Sequence, residues 1–160
     1  MSNSDRIKEQ IIKNVVLFIC GFCMYITAEV LFRGYSYWSM GILGGLSMCI
    51  IGGLNNYISW DMPLFIQMII GATVITFFEL IVGLTDKLYL HIGMWDYSNM
   101  PMNFMGVICV PFFFVWMVLS FAAIILADAI EYYVMHEPQH PYYRSMYGKI
   151  LFWLPERVCH

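Results

Sequence analysis

MWDYSNMPMNFMG, residues 94–106, is the stretch whose reading decides the fold. It gathers Asp96, Tyr97, Ser98, Asn99 and Asn103 between Trp95 and Phe104, and long apolar runs lie on both sides. Asp-x-Ser at 96–98 is a turn pattern, because both side chains bond nearby backbone amides. Pro101 holds Met100 out of the helical region. Residues 88–104 are therefore neither a clean span nor a soluble loop. They are expected to form an interfacial or re-entrant segment folded against a helical bundle. Irregular backbone at such depth persists only where protein or water satisfies it.

Working outward, the chain is apolar on a scale that lipid explains. Of 160 residues, 61% are hydrophobic and only 12% charged, about half the charged share of soluble domains. Four runs are read as membrane spans: residues 11–32, 40–57, 64–84 and 105–130. The fold class expected is an all-α integral membrane bundle of about four helices. The second run carries Gly41, Gly44, Gly45, Gly52 and Gly53, which permit close helix approach where lipid supplies no hydrophobic drive. Pro111 falls in the first turns of the fourth run or kinks it. Residues 132–160 mix aromatics with Arg144, Lys149 and Arg157 and read as a cytoplasmic or interfacial tail.

Charge placement sets the expected orientation. Arg6, Lys8 and Lys13 precede or open the first span, and three more cations lie in the tail. The two loops between have one each, Arg33 and Lys87. The positive-inside rule then places both termini in the cytoplasm. The formal charge is −3 and there is no basic stripe, so nucleic acid is not an expected partner.

Ionisable groups inside a span are functional-site candidates by default. Glu29 and Glu79 fall near the outer ends of the first and third spans, with Arg33, His91 and Asp96 on the same side. A loose Glu/His/Asp grouping lacks metal-ligand spacing, so no metal or cofactor is assigned. Cys20 and Cys23 form a CxxC on a lipid-embedded helix and read as packing residues. No GxSxG and no GxxxxGK[ST] occurs, so the chain is not expected to be an enzyme or to hydrolyse ATP through a P-loop. Arg33 stands four residues after Glu29, the spacing of a helical ion pair.

Glu79, Trp95-Asp96-Tyr97-Ser98, Pro101-x-Asn103-x-x-Gly106-x-Ile108-Cys109 and Trp116 together resemble a bacterial family of small integral membrane proteins. That family is described as putative ABC-transporter type IV, or ABC-transporter permease-like. The resemblance spans roughly residues 20–120, and the Glu29 region is similar to that family's first glutamate-bearing span. It implies an all-helical, multi-pass protein of the bacterial cytoplasmic membrane with a transport-related role.

The function expected is a permease-like membrane subunit with a polar site in the outer half of the bundle. Glu29 and Glu79 supply charge for an ion or polar substrate. Asp96, Tyr97 and Asn103 line or cap the site, Arg33 balances Glu29, and His91 lies beside it. Expected partners are the lipid bilayer, further copies of the chain, and a separate ATPase or other cytoplasmic protein on the tail. The alternative is a non-transporting scaffold or effector that recruits a partner through that tail, with its carboxylates serving only packing.

Overall fold

The computed structural model of the chain describes residues 3–54, 58–59, 62–134, 143–146 and 149–153. Four helices dominate: α1 (Asn3–Arg33), α2 (Trp38–Gly52), α3 (Leu64–Thr85) and α4 (Val110–Ala129). The long helices α3 and α4 each continue into one π-helical turn, Asp86–Leu90 and Ile130–Val134. Three helical segments are long and apolar enough to cross a membrane: Ile7–Leu31, Leu64–Leu90 and Val110–Tyr133. The all-helical membrane architecture read from the sequence is the architecture found.

The second run differs from the others. Its helix has 15 residues, about 22 Å at 1.5 Å per residue, against ~30 Å of hydrocarbon. It is also the most enclosed helix, with Met40, Gly41, Leu43, Gly44, Gly45, Ser47, Met48, Ile51 and Gly52 buried. α1 and α2 form one tight hairpin, α3 and α4 pack together, and α2 touches both of them. The α1–α2 contact depends on glycine. A Cβ at Gly44 would stand 2.5 Å from the Tyr25 Cβ and 2.7 Å from the Gly21 carbonyl oxygen. The glycine-rich composition thus becomes backbone proximity, as lipid-embedded packing favours.

Core side chains lie between the helices rather than on one stripe of each. Leu17, Met40, Leu64 and Ala72 are at most 1% exposed, while Leu31, Phe77, Phe114 and Val118 face outward. An apolar exterior is expected where lipid, not water, surrounds the bundle.

The segment after α3 folds as a compact cap. The chain turns at His91, whose φ of 52° is left-handed, and its N–H donates to the Asp86 carbonyl. Asp86 organises the return: its Oδ1 accepts from Ile92 N–H and its Oδ2 from Met94 N–H, both at 2.8 Å. β1 (Asn103–Phe104) pairs antiparallel with β2 (Ile108–Cys109), Asn103 opposite Cys109. Pro111 sits in the first turn of α4, where a missing N–H costs nothing.

In the tail, β3 (Tyr143–Met146) pairs antiparallel with β4 (Lys149–Trp153), with an irregularity between Arg144 and Ser145. β3 lies against α3. Of the expected aromatic-basic tail, residues 135–142, 147–148 and 154–160, Arg157 among them, fall outside the described residues.

Candidate functional site

At the loop end of the bundle, α1, α3, α4 and the cap converge on one carboxylate. Glu79 stands in the apolar run of α3, six residues before that helix ends at Thr85. It is 2% exposed. An intramembrane carboxylate costs about 3 kcal/mol or more unless it is partnered. Both oxygens are partnered. The Trp116 Nε1–H of α4 donates to Oε2 at 2.7 Å, and the Tyr97 hydroxyl of the cap donates to Oε1 at 3.3 Å.

Aromatic rings close the site. Tyr25 of α1 stacks on Trp116 with centroids 5.7 Å apart and planes 21° apart. Tyr97 stacks on Phe112 at 4.5 Å and 24°. Phe112 and Trp116 are 6.2 Å apart and join the two stacks. Burial raises the Tyr97 phenol well above its ordinary pKa, and the nearby negative charge of Glu79 adds to the rise. Tyr97 is thereby kept as a protonated donor.

A second group borders the first. Glu29 Oε1 pairs with Arg33 Nη2 at 2.9 Å, the i,i+4 pair its spacing foretold. Glu29 Oε2 accepts from the Ser36 hydroxyl at 2.5 Å. Arg33 also reaches across the fold: its Nη1 donates to the Met94 carbonyl at 2.7 Å, and its guanidinium lies 4.7 Å from the Tyr35 ring centroid. Since Met94 N–H is held by Asp86, one residue of the cap is fastened to α1 and to the end of α3.

Of the seven candidates read from sequence, Glu79 and Tyr97 meet directly, and Glu29 with Arg33 stands beside them. Asp96 and Asn103 are exposed and hold the cap's own turns. Asp96 Oδ1 accepts from the Ser98 hydroxyl and backbone N–H. Asn103 donates to the Ser98 and Met100 carbonyls and accepts from Gly106 N–H. Gly106 makes this closeness workable: its φ is +70°, and a Cβ there would lie 2.5 Å from the Ser98 hydroxyl. His91 is exposed at the turn that ends the α3 extension.

Two residues that build the site, Trp116 and the Tyr25 ring stacked on it, had no assigned role from sequence. Trp116 carried a signal, as part of the motif set quoted above. Tyr25 carried none, because only the packing of α1 brings it onto Trp116. A second polar group was missed altogether. Lys13, near the start of the first span, and Glu131, just past the end of the fourth, are 3% and 4% exposed and 2.6 Å apart. Asp128, one turn before Glu131, is also buried. This group occupies the end of the bundle opposite Glu79.

A model for the family described as putative ABC-transporter type IV matches residues 4–154. The chain belongs to that family. No curated protein and no solved structure matches it. Membership in the putative ABC-transporter type IV family and three span-length apolar helices fit a transport-related membrane protein. The family match also covers the tail, beyond the residues 20–120 over which the resemblance was legible.

Proposed function

We propose that this chain is a permease-like membrane subunit whose ion- or substrate-handling site is the Glu79 cluster. One observation carries the reading: two separate elements, α4 and the cap, each donate to a single buried carboxylate, and the donors that hold its two oxygens, Trp116 and Tyr97, are neutral. A carboxylate serving packing alone is better paired off, as Glu29 is with Arg33. Glu29 and Arg33 form the rim beside it. The cap, with Asp96, Asn103 and His91 on its exposed side, covers the entrance. The concentration of Lys and Arg in the first thirteen residues and the tail supports cytoplasmic termini, which would set the Glu79 cluster near the outer face.

The test is a thermal-shift screen of the purified chain in detergent against ions, amino acids, nucleosides and vitamins. A ligand that binds the folded state raises the melting temperature by mass action. The expected result is a compound that shifts the wild type and fails to shift folded Glu79→Gln or Tyr97→Phe. Equal shifts in wild type and both variants would remove the cluster from the binding site.

A further inference from the structure

Glu79 brings a negative charge into a span and meets no cation among the described side chains that face it. Those from α1 are Tyr25 and, acting through space, Glu29. The cap contributes Tyr97 and α4 contributes Trp116. Arg33 is engaged by Glu29, the Met94 carbonyl and the Tyr35 ring. At the opposite end, by contrast, Glu131 has Lys13. The Glu79 site is therefore short of one positive charge.

The neighbours decide which cation fits. A hard metal ion needs a shell of oxygen ligands, whereas the groups named beside Glu79 are two phenols, Tyr25 and Tyr97, and the Trp116 indole N–H. An organic cation needs room, and Glu79 is 2% exposed between two aromatic stacks. A proton needs only a lone pair. The two partners are also unequal in a useful way. Trp116 Nε1–H is a donor only, so it holds Oε2 as an acceptor in either state. The Tyr97 hydroxyl is donor and acceptor. It donates to Oε1 when the carboxylate is ionised, and by rotating its hydrogen it accepts from Oε1–H when the acid forms.

We infer that Glu79 is a proton-exchanging carboxyl: a proton binds at Oε1, with Tyr97 switching from donor to acceptor and Trp116 fixing the other oxygen. No other bond forms or breaks. The inference rests on the reading of the Glu79 cluster as the transport site, and it makes the proton the ion handled there. Tyr97 and Trp116 are positioning residues in this scheme.

Infrared difference spectroscopy of the full chain in detergent, titrated from about pH 4 to about pH 9, tests it with the proton itself as probe. The expected result is a protonated-carboxyl C=O band that grows on acidification, shifts in deuterated buffer and is missing in Glu79→Gln. Trp116→Phe, which removes one donor to a charged acceptor, should displace the midpoint of that band by about one pH unit. Absence of any Glu79-dependent band, or an unmoved midpoint in Trp116→Phe, overturns the inference. Should Glu79→Gln fail to fold, the Trp116→Phe midpoint decides alone. A titrating band without any ligand-induced thermal shift keeps the proton site and removes the transport reading. A ligand shift without a titrating band does the reverse.

Discussion

Lys13 Nζ lies 2.6 Å from Glu131 Oε1, and both side chains are at most 5% exposed. The pair ties the first turns of α1 to the end of α4, although 118 residues separate them in sequence (131 − 13). Removing one member leaves an uncompensated buried charge, whereas replacing both by apolar groups is often neutral. Lys13→Met or Glu131→Leu alone should cost about 3–5 kcal/mol. The double variant should recover most of that loss. Thermal unfolding of the four forms in one detergent checks it, and equal losses in the single and double variants would contradict it.

Asp86 is expected to govern the cap. Its two oxygens hold the Ile92 and Met94 amides, and Met94 carries the Arg33 contact. Asp86→Ala should free both amides, costing roughly 1.5–3 kcal/mol per hydrogen bond to the charged group. Hydrogen exchange should then quicken over residues 91–107 while the interior of α4 keeps its protection. An unchanged exchange pattern in the cap would argue against this anchoring.

The Asp96 turn gives a pH dependence with a definite sign. The Ser98 hydroxyl and then the Ser98 backbone N–H stabilise the ionised form, so the Asp96 carboxyl lies below its ordinary value in the folded cap. A group with a lowered folded pKa contributes stability above its unfolded pKa of about 3.9 and loses it as pH falls through the folded value. Acid should therefore loosen residues 96–98. Ser98→Ala should move the Asp96 titration back toward the ordinary carboxylate range, as read by carboxyl-carbon NMR. If Ser98→Ala leaves that titration in place, the assigned cause is wrong.

Gly44 is predicted to be intolerant of even one methyl group. A Cβ would press on the Gly21 carbonyl and on Tyr25, and neither backbone nor Cβ can rotate away. Gly44→Ala should destabilise the α1–α2 hairpin by about 1–3 kcal/mol. Because Tyr25 stacks on Trp116, the same change should also disturb the Glu79 site. Melting temperature reads the first effect and Trp116-sensitive fluorescence the second. Gly34, with nothing within 4 Å of a built Cβ but a φ of +83°, should respond through backbone strain alone.

Much was legible in sequence because it depends on neighbours along the chain. Apolar runs named the three long helices, since length and composition decide whether a segment can cross lipid. The Glu29–Arg33 pair followed from i,i+4 spacing, and the Asp96–Ser98 turn from local hydrogen bonding. The rarity of carboxylates in lipid was enough to single out Glu79.

Tertiary structure alone decided who meets whom. Sequence spacing cannot show that Trp116 comes to Glu79 from an antiparallel helix, or that Tyr25 of α1 stacks on Trp116. Nor can it show that Lys13, Asp128 and Glu131 are buried, because charge at a span's end ordinarily faces water. Burial reverses that expectation only when an opposite charge arrives from elsewhere in the chain, as Glu131 does for Lys13. Composition and short-range spacing determined the membrane helices and their local turns. Packing of distant segments determined the charge pairs and the site, because desolvation and ion pairing depend on three-dimensional neighbours.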